Sequence, residues 1–176
     1  MRKTNRMRGI TAFFLLAVLL LAAGCGKTAE TPAPPAEQEV MLYFSDADAS
    51  YLVGDKRIVQ AEDATTEAMA AAVVRELIAG PVEGGGLYGI MPEGTELQSA
   101  ELRENGVLTV SFNRAFAEGQ AGSAGMVLTL YGLVDSLTGL PGVEAVEILI
   151  DGEEVEAYEG LIMPGEPLTR SEEYIR

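Results

Sequence analysis

The sequence predicts a two-layer α+β domain: a mainly antiparallel sheet with two helices packed on one face. Three observations carry this expectation. Extended apolar segments fall in the order strand–strand, strand–hairpin–strand and strand–hairpin–strand. Two segments of helical period separate those groups. No fixed-period repeat or coiled-coil heptad offers a competing architecture, and helices segregated against an antiparallel sheet form a stable two-layer solution.

Residues 1–9 carry Arg2, Lys3, Arg6 and Arg8 and no acid. Ile10–Leu21 is an apolar run of 12 residues, short of the roughly 20 needed to span a bilayer. A basic start, a short apolar centre and a small-residue exit are the parts of a secretory signal peptide. The exit, Leu21-Ala22-Ala23-Gly24-Cys25, resembles a bacterial lipobox, in which cleavage precedes a lipid-modified Cys. Ala22 stands where a Leu is usual, with Leu21 one step further out. An ordinary signal peptide or an uncleaved anchor is the plainer alternative. The lipobox reading makes Cys25, the only Cys in the chain, a lipid attachment site. Two acyl chains would suffice for stable anchoring.

Residues 25–38 then read as a lipidated Cys and a tether. Three prolines among small polar residues favour an extended form that reaches roughly 40 Å at about 3.1 Å per residue. A domain over 39–170 and a polar tail over 171–176 complete the division.

Val40–Phe44 predicts a buried strand, Ser45–Ser50 a turn-rich loop, and Tyr51–Val59 a returning strand interrupted by Gly54-Asp55. Glu62-Asp63-Ala64-Thr65 carries helix-start signals. Met69, Val73 and Leu77, flanked by Ala70, Val74 and Ile78, form one helical face from Thr66 to Ala79, which Gly80-Pro81 ends. Leu97–Arg103 and Val107–Asn113 flank Asn105-Gly106, a hairpin signal that calls for positive φ at both central residues. In the second arm Leu108, Val110 and Phe112 face one way and Val107, Thr109 and Ser111 the other, which implies one half-buried face. Gly119–Gly125 reads as a small-residue linker. Ser123 is a plausible N-cap for a helix over Met126–Leu137, with Val127, Leu130, Val134 and Leu137 inward and Asp135 and Ser136 off the stripe. Val143–Ile150, the turn Asp151-Gly152, Glu154–Tyr158 and a short Leu161–Met163 strand follow. The stretch Glu166–Arg176 is polar.

Composition excludes several chemistries. The chain of 176 residues has no His, so Ser–His and Cys–His nucleophiles and imidazole metal ligands are absent. One Cys permits no intrachain disulfide or thiolate cluster. A formal charge of −15 opposes nucleic acid and anionic surfaces. Removal of residues 1–24 leaves eight basic residues against 27 acidic, a charge of −19.

Candidate sites resolve to structural readings. Asp46, Asp48 and Ser50 imitate the start of a calcium loop, but the sixth and twelfth positions hold Tyr51 and Arg57 where Gly and Glu are required. Gly84-Gly85-Gly86 lacks the Lys-Ser/Thr of a phosphate loop. Glu144, Glu147, Asp151, Glu153, Glu154, Glu156 and Glu159 crowd the last hairpin. Alternation with Val146, Ile148 and Val155 marks them as the solvated face of a sheet. The Gly-rich 119–125 stretch could wrap a ligand, though close helix packing explains its small residues equally well. No catalytic residue, metal site or cofactor is expected.

Val40–Val53, Ala72–Pro81 with Arg75-Glu76-Leu77-Ile78-Ala79-Gly80-Pro81, Ile90–Leu97, Asn105–Phe112 and Val146–Gly152, taken in that order, resemble the GerMN domains of sporulation and germination proteins. The resemblance covers most of residues 40–170. It implies an extracytoplasmic module related to ring-building domains that assemble envelope complexes between mother cell and forespore. It carries no catalytic residues. Some members have two copies, and this chain has room for one. The expectation is therefore a non-enzymatic lipoprotein, held to the membrane by Cys25, that contacts an envelope protein or another copy of itself. A module that binds a small molecule or a peptidoglycan fragment is the alternative, and a cell-wall hydrolase the third reading.

Overall fold

A computed structural model describes residues 35–119, 122–154 and 166–176, all within one compact unit, Ala33–Arg176. Strands β1 (Ala36–Ser45) and β2 (Leu52–Ala61) form an antiparallel ribbon. Helix α1 (Thr66–Ala79) follows. Strands β3 (Leu97–Leu102) and β4 (Val107–Phe112) lead to a one-turn helix α2 (Ala115–Glu118) and a long helix α3 (Gly122–Leu137). Strands β5 (Ala145–Ile150) and β6 (Glu153–Glu154) complete a second sheet in the order β3-β4-β5-β6.

The α+β class holds and pairing is mainly antiparallel. The strands divide into two sheets, however, and β4 pairs parallel to β5. A parallel pair needs a crossover connection, which α2 and α3 supply. The ribbon packs on both α1 and α3, while α1 also reaches β3 and α3 reaches β5.

Helix α1 forms where expected, with Thr65 as its cap. The Thr65 hydroxyl accepts from the Ala68 N–H at 3.2 Å, which satisfies one of the first-turn donors that a helix leaves free. The Asp63 carboxylate in turn accepts from the Thr65 N–H at 2.9 Å. Gly80, at φ +85°, ends the helix.

Helix α3 departs from its expected form. It begins at Gly122, so Ser123 lies in the first turn and is not the cap. Asp135 and Ser136, expected off the core stripe, are buried at 0% and 1% exposure. The physical reason is enclosure, since the ribbon, α1 and β5 all press on this helix. Gly132 marks a close approach: a Cβ there would run into Ile90 Cδ1 and stand 3.1 Å from Leu52 Cδ2 and 3.3 Å from the Tyr43 carbonyl oxygen.

Strand β4 is buried on both faces, not one. It lies between β3 and β5, and its polar face is roofed by long side chains. The Thr109 hydroxyl donates to Glu147 at 2.9 Å, and the Ser111 hydroxyl donates to Gln98 at 3.0 Å. Beneath the other face Phe112 stacks on Phe116, ring centroids 4.5 Å apart. The two hairpin turns differ. Asp151 and Gly152 both have positive φ, the two-residue turn that matches strand twist. At Asn105-Gly106 only Gly106 does. The Gly106 N–H donates to the Arg103 carbonyl and the Arg103 N–H to the Val107 carbonyl, a three-residue loop with a glycine bulge.

Two boundaries also move. Strand β1 starts at Ala36, so residues 36–38, assigned to the tether, are strand. The polar tail docks on the domain as a strap. Leu168 exchanges backbone hydrogen bonds with Val146 at 2.8 Å in both directions, and the Arg176 N–H donates to the Leu52 carbonyl at 3.0 Å. Between these points Glu172–Tyr174 forms a short 3-10 turn, and Tyr174 stacks on Tyr131. The Leu161–Met163 strand, residues 155–158 and Cys25 lie outside the described residues.

Candidate functional site

The acidic residues singled out by the sequence divide by their partners. The Asp46 carboxylate accepts from the N–H groups of Ser50 and Tyr51 at 2.8 and 3.2 Å, a turn that caps itself. Those bonds hold its carboxyl below the usual range. Glu147 accepts from Arg103 at 2.6 Å as well as from Thr109. Asp151 accepts from Gln98 at 2.9 Å and Arg114 at 3.0 Å, which likewise lowers its carboxyl. Glu144, Glu153 and Glu154 are exposed, and Glu156 and Glu159 lie outside the described residues. Among the described residues no cluster of three acidic or thiol groups is placed to hold a metal ion. No helix among them is long and apolar enough to cross a membrane.

Arg114, Ala117, Glu118, Ile150, Asp151, Glu153 and Glu154 line a surface depression of about 330 Å³. Its volume lies at the small end of ligand pockets, and the Arg114–Asp151 ion pair forms part of its wall.

A buried polar cluster went unread in the sequence. The Asp135 Oδ1 accepts from the Ser171 N–H at 2.9 Å, and the Asp135 carbonyl accepts from Arg170 at 3.0 Å. Arg170 also donates to the Tyr43 hydroxyl oxygen at 2.6 Å. The Tyr43 N–H donates to Ser136 Oγ at 3.0 Å, and Ser136 donates on to the Gly132 carbonyl at 2.6 Å. Strap, α3 and β1 are thereby joined. Burial pushes the Asp135 carboxyl up, opposed by the Ser171 N–H and the Arg170 charge and reinforced by Glu172. Its Oδ2 is buried without a partner among the described residues. The missed signal was the sequence Arg170-Ser171 in a tail that also holds Leu168, Tyr174 and Ile175.

Large apolar side chains reach solvent at few places, and Ile58 in β2, at 70% exposure, is one of the most exposed. On the ribbon's outer face it lies opposite Glu39, beside the Lys56–Glu39 ion pair at 3.1 Å.

Comparison with known proteins follows this geometry. Residues 41–156 match the family described as Germane, sporulation and spore germination. The curated proteins give no match. Among solved structures, the first GerMN domain of the sporulation protein GerM from Bacillus subtilis superposes with a TM-score of 0.60 at 19% identity, covering 76% of this chain and 98% of that one. The tandem GerMN domains of the same protein give 0.59 at 21% identity, over 88% of this chain and 51% of that one. A Clostridium perfringens protein described as a lipoprotein gives 0.55 at 17% identity, over 78% and 89%. At these identities the likeness is one of fold. The chain spans about half of the tandem protein, one domain's worth.

Proposed function

The chain belongs to the Germane family of sporulation and spore germination domains, and from that premise we propose that it is a lipid-anchored module outside the cytoplasmic membrane. It acts without catalysis, through protein contacts, in envelope assembly linked to sporulation or germination. One observation carries the reading: a family domain stands directly behind Leu21-Ala22-Ala23-Gly24-Cys25 and a proline-bearing tether. A lipid on Cys25 would hold the domain near the envelope, and the tether would let it search for a partner. The strongly acidic mature chain favours basic protein surfaces over nucleic acid.

The test is expression of the full chain in a bacterial host with mass analysis of the mature N-terminus. The expected result is cleavage before Cys25, an acylated Cys25, and sedimentation with membranes that Cys25→Ala abolishes. Cleavage elsewhere, or membrane association that survives Cys25→Ala, would overturn the anchor. Cross-linking in envelopes should then capture a protein partner in proportion to expression. An envelope in which the chain contacts no protein would remove the assembly reading.

The depression at Arg114 and Glu118 supports a second reading, binding of a small envelope molecule such as a peptidoglycan fragment. Titration with muropeptides that raises the melting temperature, and loses that effect in Arg114→Ala, would favour it.

A further inference from the structure

We propose that the strap over residues 166–176 is a latch set by the charge of Asp135, docked most firmly while that buried carboxyl holds a proton and loosened when it ionises. The inference goes beyond the anchor and assembly reading and does not depend on it.

The strap is held at a few points. Leu168 exchanges two backbone hydrogen bonds with Val146, the Ser171 N–H donates to Asp135 Oδ1, Tyr174 stacks on Tyr131, and the Arg176 N–H donates to the Leu52 carbonyl. Arg170 secures the middle. Its two terminal nitrogens donate to the Asp135 carbonyl at 3.0 Å and to the Tyr43 hydroxyl oxygen at 2.6 Å, and its guanidinium lies 5.3 Å from the centre of the Tyr43 ring. The neighbouring cation thus spends these hydrogens on neutral oxygens. Among the described residues the Asp135 carboxylate has no ion pair.

Asp135 is fully buried, and its Oδ2 has no partner among the described residues. An ionised carboxylate in that setting keeps one oxygen stripped of water and unbonded, a cost that the protonated acid largely escapes. The charged groups that act on it come from the strap: Arg170 favours ionisation, as does the Ser171 N–H, and Glu172 opposes it. Strand β1 brings the neutral Tyr43 hydroxyl, which faces Arg170. Helix α1 and strand β5, which also pack on α3, bring buried apolar residues, Val73 and Val146 among them. Burial is the largest influence, so the carboxyl holds its proton above the usual range.

Lifting the strap removes Ser171 and Arg170 from Asp135 and returns its carboxyl to water. The closed form binds the proton more tightly than the open one, so acid favours closure and rising pH favours opening. The strap's other bonds persist at neutral pH, which leaves it loosened and not released. Each opening frees the Val146 N–H and carbonyl on the edge of β5 and the Leu52 carbonyl at the start of β2, groups that must then find water or another partner.

Amide exchange of the full-length protein, corrected for the intrinsic pH dependence of exchange, tests the latch. From pH 3 to pH 7 the protection of Leu168, Ser171 and Arg176 should fall together, at least about threefold relative to the centre of α1. Asp135→Asn keeps an oxygen for the Ser171 N–H and cannot ionise, so in that variant the ratio should stay constant. If Asp135→Asn does not fold, the wild-type chain answers by NMR. The Asp135 carboxyl carbon should titrate above the usual aspartate range, and the Leu168 and Ser171 amides should follow the same curve. Strap protection that ignores pH in wild type, the same fall in Asp135→Asn, or a carboxyl that titrates without a response from the strap amides would overturn the latch.

Discussion

The two long helices of this domain obey different rules. Helix α1 shows one apolar stripe, with Arg75 and Ile78 on its open side. Helix α3 is buried almost all round, and its buried set includes Thr129, Asp135 and Ser136. A helix with one side left open to solvent writes that side into its period; a helix covered on nearly every side does not. The difference teaches where the domain is held together. The strap over residues 166–176 reaches β5 at Val146, α3 at Asp135 and β2 at Leu52, and so ties both sheets across the enclosed helix.

The largest expected effect comes from size. Gly132→Leu drives side-chain atoms into Leu52 and the Tyr43 backbone and should cost about 3 kcal/mol. Arg75→Leu on the open side of α1 should shift stability by no more than about 0.5 kcal/mol. Denaturant titration of the two variants reads the contrast, and equal effects would break it. Next comes Arg170→Ala, which removes donors from Tyr43 and from the Asp135 carbonyl. The loss should be about 1–2 kcal/mol, read by the same denaturant titration. For α1 the comparable anchor is its cap, and Thr65→Ala should lower stability by about 1 kcal/mol. The smallest effect at neutral pH is expected from Asp135→Asn, which keeps an acceptor for the Ser171 N–H. Because burial raises the Asp135 carboxyl, the folded state holds this proton more tightly than the unfolded chain. Its contribution is therefore full in acid and is lost as pH rises through the folded value. Thermal melts from pH 3 to pH 7 should show wild type losing stability relative to Asp135→Asn as pH rises; parallel curves would contradict that sign.

Much of this fold was legible. The stripe Met69, Val73 and Leu77, the Gly80 stop and both turn dipeptides sit where the sequence puts them, because each is decided within a few residues. Asp135 was misread because its burial depends on a segment 35 residues later. Thr109 and Ser111 were misread for the same kind of reason, since their cover comes from Glu147 and Gln98 on neighbouring strands. The strap looked merely polar because its apolar contacts, Leu168, Tyr174 and Ile175, follow neither helical nor strand period. As for the candidate site, the lipobox-like stretch that ends at Cys25 is a local pattern, whereas the Asp135–Arg170 cluster emerges only once α3 and the strap are in place.

Amide hydrogen exchange of the full-length protein, resolved at Ser171 and Arg176, tests the strap most directly. The account predicts that both amides are protected, and that Arg170→Ala releases them together with the Tyr43 amide while the centre of α1 keeps its protection. Exchange of Ser171 and Arg176 at free-chain rates in wild type would show that the tail is no part of the domain and would contradict the account.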